Sequence, residues 1–320
     1  MTSGGPNGEP AAVGGAITPQ VSPDPTPGSR VCPGCQERTP SPFFGGSGGY
    51  TWRRCGTCRL VYVDRVPSAE EFDELYGSYY RPDNLAVPAF LRERARQILA
   101  PFAAYRQTGR FLDVGYGAGL FLEIAQAQGW ECWGQEVAPE AVRAGRERGW
   151  TIVQGDLLDV QLPKGTFDVV CFTEVLEHLV EPVAYLKAIF HLLRPGGVLY
   201  ATTPNSDAIT SRLKKTDWSI FTPPEHIQVF NPPSLRRLCR RLGYGEIRIK
   251  TEGLNPAELR KPPAASGGAA QPHRNQTGFE LNERLESGGA LRFLKRTANA
   301  GLTLTGLGES LKLYATRPIE

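Results

Sequence analysis

From residue 110 to residue 205, short apolar runs alternate with longer segments of helical period. RFLDV (110–114), ECWGQE (131–136), TIVQG (151–155), FDVVCF (167–172) and VLYATT (198–203) read as strands. GLFLEIAQAQG (119–129), PEAVRAGRERG (139–149) and EPVAYLKAIFHLLR (181–194) repeat apolar positions at three- and four-residue steps and read as the helices between them. Strands separated by helices pair in parallel and cross over on the sheet faces, so the rhythm predicts a doubly wound α/β domain. Pro182 suits a first helical turn, and RPGG at 194–197 stops the helix. The stretch 206–231 is loop-rich. PPSLRRLCRRLG (232–243) then predicts a helix, GEIRIKTEG (245–253) a strand, the text near 281–299 a helix and SLKLYATR (310–317) a closing strand.

Ahead of the domain, Ser68 stands three residues before Glu71, the spacing of a capping box. Residues 88–106 place Phe90, Leu91, Ile98, Leu99 and Phe102 on one helical stripe, with a kink expected near Pro101. The organisation expected is a disordered tail over 1–30, a cysteine module over 31–66, a helical lid or linker over 67–107, the α/β domain over 108–255 and 280–320, and a mobile insertion over 256–279. The tail and the insertion are rich in Gly, Pro and Ala and cannot bury enough surface to offset the entropy of ordering.

Composition narrows the function classes. The chain has 320 residues, 40% hydrophobic, enough for one catalytic domain with attachments. The formal net charge of +3 is mild and comes without a block of like charges, so it does not demand a polyanionic partner. No apolar run approaches the ~18–20 residues of a membrane helix. The start lacks the basic end and apolar stretch of a signal peptide, which makes the cytoplasm the expected compartment. Cysteines stay reduced there, so paired cysteines suggest a metal before a disulfide.

LDVGYGAGLFLEIAQ carries the most chemistry. Asp113, Gly115, Gly117 and Gly119 end a strand and open a helix, where glycines let the backbone approach a ligand. The spacing is G-x-G-x-G, not the G-x-G-x-x-G of a nicotinamide or flavin site. Glu136 ends the next strand, 23 residues after Asp113, where a carboxylate can accept both hydroxyls of a ribose. Asp156 follows the third strand, placed to accept from an adenine amino group, with the Leu157 N–H beside it. Ligands of such sheets sit at the carboxyl ends of the strands.

These segments resemble the class I S-adenosylmethionine-dependent methyltransferases. The likeness is strongest to the branch that continues as EVLEHLVEPVAYLKAIFHLLRPGGVLYATTPN does here, and it runs over roughly 31–252 and the final strand. The resemblance implies a Rossmann-like, mostly parallel seven-stranded sheet with an antiparallel last strand. It also implies that Asp113 and the glycines face the methionine part, Glu136 the ribose, and Asp156 with Leu157 the adenine. Tyr116 departs from the small residues usual at its place and would narrow the pocket if turned inward. Tyr76, Tyr79 and Tyr80 resemble text that lies as a lid over the cofactor, and Tyr80 is assigned to that site; docking of the helix on the core is the alternative.

Cys32, Cys35, Cys55 and Cys58 form C-x2-C-x19-C-x2-C, a spacing suited to a closed four-thiolate zinc site of structural type. So short a segment has little core, and zinc would supply its folding energy. CPGC followed by WRRCGTCRLVYVD is similar to the zinc ribbon-like module of sugar C-methyltransferases and of related methyltransferases, those of ubiquinone-biosynthesis type among them. Cys132, Cys171 and Cys239 read as buried thiols.

Methyl transfer from a sulfonium needs an aligned acceptor and, for some acceptors, removal of a proton. His226, in the Pro-bounded FTPPEHIQVF, and His178, after the fourth strand, are the candidate bases, with Glu225 a possible orienting partner. In the sugar C-methyltransferases a similar segment carries a proposed base. Trp218 would line a pocket or anchor its loop. The acceptor implied is a small molecule, favoured by resemblance as a sugar, sugar nucleotide or glycan precursor. Two other readings stay open. Arg236, Arg237, Arg240 and Arg241 on one helix, with Arg53, Arg54, Arg59 and Arg65 in the cysteine module, would serve an RNA methyltransferase, although a solvated face is the plainer account. The third is a cofactor-binding interaction protein without turnover.

Overall fold

A computed structural model describes residues 30–38, 42–77, 89–255, 258 and 289–319. The expected disorder of 1–29, the lid assignment of Tyr79 and Tyr80, and the 256–279 insertion apart from Glu258 lie outside the described residues.

The α/β domain is built on β4 (Arg110–Val114), β5 (Glu131–Glu136), β6 (Thr151–Gln154), β7 (Phe167–Thr173), β8 (Leu193–Pro204), β10 (Ile247–Glu252) and β11 (Ser310–Thr316). They form one seven-stranded sheet in the order β10-β11-β8-β7-β4-β5-β6. The five strands from β4 to β8 pair in parallel, and β11 enters antiparallel between β8 and β10. The central strands read as unbroken apolar runs because both faces are covered; β7 from Phe167 to Phe172 is wholly buried. The edge strand β10 alternates instead. RPGG does more than stop a helix: β8 starts at Leu193 and incorporates it.

Helices α3 (Leu120–Ala127), α4 (Pro139–Glu147) and α5 (Pro182–Leu192) are the crossovers. One face of the sheet packs Leu112, Phe172 and Leu199 with Leu186 and Ile189 of α5 and Leu235 and Leu238 of α7 (Pro232–Arg241). The other packs Phe111, Val169 and Tyr200 with Leu122 and Ile124 of α3 and with Leu99 and Phe102. Each such fully buried side chain contributes about 1.5–3 kcal/mol. Leu99 ends α2 (Ala89–Leu99), and Pro101 turns the following residues 100–105 into a 3₁₀ segment, the break its ring dictates. Ser68 and Glu71 cap α1 (Ala69–Gly77) reciprocally, at 3.3 and 2.8 Å.

The cysteine module is joined to the domain in a way its sequence does not announce. Strands β1 (Phe43–Ser47), β2 (Tyr50–Arg54) and β3 (Val61–Val63) form an antiparallel sheet whose fourth strand, β9 (Gln228–Val229), comes from the loop-rich stretch before α7. α6 (Ile209–Lys214) stands in the same stretch. Trp52 of β2 is fully buried among Trp218, Phe221, Ile227 and Val229 of that stretch. Asn231 caps α7 with Ser234 and also donates to the Arg59 carbonyl at 2.9 Å. Arg241, near the far end of α7, donates to the carbonyls of Cys35 and Gly34 at 2.6 and 3.0 Å. α8 (Gly289–Thr305) precedes the final strand. No helix among the described residues is long and apolar enough to cross a membrane.

Candidate functional site

The carboxyl ends of β4, β5 and β6 collect the acidic residues expected there. Asp113 is 2% exposed, and its Oδ1 finds no hydrogen-bond partner among the described residues. Burial, then the neighbouring Glu136 charge, holds its carboxyl well above the ordinary carboxylate range. A buried carboxyl with an idle oxygen is costly, and a cationic ligand would relieve it. Gly117, at φ +52°, opens onto free space where a side chain would stand, so the loop leaves a cradle beside Asp113. Glu136, also 2% exposed, ties the cradle together. It accepts from the Gly117 N–H at 3.0 Å and from the N–H groups of Val137 and Ala138, at 2.7 and 3.2 Å, where α4 begins. These backbone donors fix the carboxylate at the end of β5. An idle acidic oxygen, a glycine cradle and a fixed carboxylate fit an adenosyl sulfonium.

Gly115 and Gly119 take the positive φ that the turn requires, +67° and +76°. Tyr116, between them, does not narrow the cradle. Its ring packs where side chains on Gly134 and Gly145 would stand, and its hydroxyl donates to the Ala141 carbonyl at 2.7 Å. Asp156 accepts from the Leu158 N–H at 2.8 Å and from the Tyr185 hydroxyl, while the Leu157 side chain is buried beneath.

The carboxyl ends of β7 and β8 hold a second group. Glu174, just past β7, adopts φ +53°, strained for a side chain of its size, and its Oε1 accepts from the Thr202 hydroxyl at 2.6 Å. Glu177 is buried, accepts from the Thr203 hydroxyl at 3.0 Å, and is held well above the usual range by burial and then by the Glu174 charge. His178 and His226 come together from distant parts of the chain, ring centroids 4.8 Å apart. The Glu225 carbonyl accepts from His178 Nδ1 at 2.8 Å, and the Ile220 carbonyl from His226 Nδ1 at 2.7 Å. Burial, then His226, pushes His178 down to about 3, so that ring stays neutral. A carbonyl can only accept, so His226 carries its proton on Nδ1 and its lone pair on Nε2. Glu225 therefore steadies His178 through its backbone; the partner that orients His226 is the Ile220 carbonyl. One nitrogen of each ring and a Glu177 oxygen lie within 4.8 Å of one another, compact enough for a divalent cation.

Glu174 and Glu177 were legible as acids in EVLEHL, but nothing in the text marked one as strained and the other as buried. Trp218, 3% exposed, anchors its loop on Phe221. His191 is exposed on α5, and His273 lies outside the described residues.

The four cysteines converge. Cys32 and Cys58 Sγ are 3.5 Å apart, Cys35 and Cys55 Sγ 3.6 Å, and all four lie within 4.8 Å of one another. A tetrahedral zinc with Zn–S of ~2.3 Å sets sulfurs about 3.8 Å apart. Hydrogen bonding to Cys58 and then burial push the Cys32 thiol far up, and burial pushes Cys35 to about 11. Buried thiols so placed need a cation to ionise, and the soft four-sulfur set fits zinc. Cys132 and Cys239 are pushed up to about 12 by burial, as suits inert thiols.

Residues 88–247, half of the chain, match the family described as methyltransferase domain. A ubiquinone biosynthesis O-methyltransferase of Cereibacter sphaeroides is 30% identical over 211 residues, 62% of this chain and 75% of that protein. The protein of the same description from Idiomarina loihiensis is 28% identical over 204 residues, 58% and 82% of the two chains. A solved S-adenosylmethionine-dependent methyltransferase from Archaeoglobus fulgidus is similar at 20% identity, over 70% of this chain and 94% of that one, with a TM-score of 0.47. The chain belongs to the methyltransferase-domain family, as a class I S-adenosylmethionine-dependent methyltransferase.

Proposed function

We propose that the protein O-methylates a hydroxyl of a small-molecule acceptor, with His226 as general base. The observation that carries this reading is the His226 ring, fixed by the Ile220 carbonyl in the tautomer whose Nε2 can take a proton. The names of the Cereibacter and Idiomarina relatives support O-methylation over the sugar C-methylation that the N-terminal resemblance favours.

In this reading Asp113 and the cradle of Gly115, Gly117 and Gly119 hold the methionine part of S-adenosylmethionine, Glu136 the ribose, and Asp156 with the Leu157 N–H the adenine. Asp156 keeps acceptor capacity beyond its bonds to Leu158 and Tyr185. When bound, the cofactor supplies an electrophilic methyl on a good leaving group. The chain's work is to orient the acceptor, keep water out and take its proton at His226 Nε2. The neutral His178 ring beside it adds no positive charge that would oppose protonation of His226.

Zinc on Cys32, Cys35, Cys55 and Cys58 is structural here. Six of the eight arginines that an RNA reading would use are engaged within the chain. Arg53 pairs with Asp64, Arg54 and Arg59 with Asp207, Arg65 with Glu71, and Arg237 with Glu37, while Arg241 binds the module's carbonyls.

A panel of hydroxylated quinone precursors, sugar nucleotides and RNA, read by mass spectrometry of the product, tests the assignment. Methyl on a precursor oxygen is expected; a C-methylated sugar or methylated RNA would overturn it. His226→Ala should lower kcat by about 10²–10⁴ and leave cofactor affinity unchanged. An unaltered rate removes His226 as base. Metal analysis is expected to give about one zinc per chain. A second divalent ion, lost from Glu177→Gln, would instead assign the histidine cluster to metal binding.

A further inference from the structure

Gln228 and Arg30 belong to no part of the mechanism, yet they sit where the cysteine module meets the two histidines. Gln228 is on β9 and fully buried. Its Nε2 donates to the carbonyls of Leu176, at 2.7 Å, and Leu179, at 2.9 Å, which bracket Glu177 and His178. Two carbonyl acceptors dictate that the amide nitrogen faces them. Its Oε1 has no partner among the described residues, so the amide is retained in the core with its acceptor unused. The Gln228 backbone pairs with Tyr62 of β3, and the neighbouring Ile227 N–H donates to the Glu177 carbonyl at 3.0 Å. On the other side of this seam, the Arg30 guanidinium donates to the carbonyls of Val63, Ile227 and Val180, at 3.3–3.4 Å. Those three belong to the cysteine module, the His226 loop and the segment after His178.

We propose that Gln228 is a positioning residue, aided by Arg30, that locks the His178 turn to the His226 loop and makes the cysteine module the support of that pair. The inference rests on the reading of His226 as the reactive base for its catalytic meaning, but the linkage itself is testable without turnover. The path is short: β3 fixes β9, Gln228 fixes the turn that carries His178, and the Ile220 carbonyl that orients His226 lies one residue from Phe221, whose ring meets Trp52 of β2 edge-on at 4.9 Å.

The test is long-range ¹H–¹⁵N spectroscopy of the full chain labelled at histidine nitrogen, on wild type, Gln228→Leu, Gln228→Glu and Arg30→Met. In wild type, two histidines should show a single Nδ1–H tautomer, both lost from the set by the paired His178→Ala and His226→Ala variants. In each Gln228 variant at least one of them should average between tautomers. S-adenosylhomocysteine affinity should stay within about twofold, since the partners of Gln228 are Leu176, Leu179 and Tyr62 and none of the residues assigned to the cofactor. Arg30→Met should give the same change to a smaller degree, and it serves if the Gln228 variants fail to bind S-adenosylhomocysteine through misfolding. Removing the module's zinc with a chelator should reproduce the Gln228 spectrum. Unchanged tautomers in a folded Gln228 variant, or in the zinc-free chain, overturn the linkage. Failure of the base reading looks different: methyl transfer survives His226→Ala while the tautomer result stands.

Discussion

The two ends of the central sheet both bury carboxylates, and they treat them oppositely. At the amino end, Asp168 is fully buried but saturated. It accepts from the backbone N–H groups of residues 107, 108 and 109, at 3.0, 3.2 and 2.7 Å, and from the guanidinium of buried Arg194. Burial alone would raise its pKa; Arg194 and the three N–H donors outweigh that and hold it below the usual range. At the carboxyl end, Asp113 is as deeply buried, has an idle oxygen, and is driven upward. Glu177, past the end of β7, is also driven upward, and Glu174 is strained. One end spends its polar groups on holding the sheet. The other leaves an Asp113 oxygen unused, as a site must if a ligand is to complete it, even though Glu136 there is held by three backbone N–H groups.

The largest expected effect breaks the satisfied end. Asp168→Ala strands Arg194 in the interior and should cost about 3–5 kcal/mol in urea denaturation, while the remaining folded protein binds S-adenosylhomocysteine normally. A stable Asp168→Ala protein would show that the buried pair is not what holds this edge.

The counterpart at the other end should invert the pattern. Asp113→Asn replaces a buried carboxyl that has no cationic partner among the described residues, so stability is expected to hold or rise, while cofactor affinity falls about 100-fold, or about 2.7 kcal/mol. The pH dependence sharpens this. A raised carboxyl keeps a proton in the native state that the unfolded chain has already released, so its stabilising effect is present at low pH. That effect is lost as pH rises from the ordinary carboxylate range through the folded value. Asp113→Asn should flatten that decline in the cofactor-free protein. A cationic ligand favours the ionised form, so binding should release a proton from Asp113, measurable by calorimetry in buffers of different ionisation heat. Equal affinity in Asp113→Asn, or no proton release, would end the case for Asp113.

Much of this contrast was legible from the chain itself, because periodicity and strand ends are written locally. The alternation from Arg110 to Asn205 gave the strands and helices, and the sheet rule placed Asp113, Glu136 and Asp156 at one edge. What was not legible depends on backbone groups and distant partners. Two residues of β9 carry no period, so their pairing with β3 across more than 160 residues leaves no trace in either segment. The Ile220 carbonyl that orients His226 has no letter of its own, and the text offered Glu225 in its place. Arg30 stood at the end of a Gly- and Pro-rich tail, yet three carbonyls hold it in the fold.

The smallest expected effect is the most discriminating about place versus satisfaction. Tyr116 lies inside the glycine loop, so by position it belongs to the ligand end. By bonding it resembles Asp168: its hydroxyl is met by the Ala141 carbonyl, and its ring stands edge-on to Trp150 at 6.1 Å. If satisfaction rather than position marks the structural groups, Tyr116→Phe should lose about 1 kcal/mol of stability and leave cofactor affinity within about twofold. A tenfold loss of affinity with stability intact would mean that the ring shapes the cradle after all. The division between the two ends would then follow the sheet alone and not the hydrogen bonds.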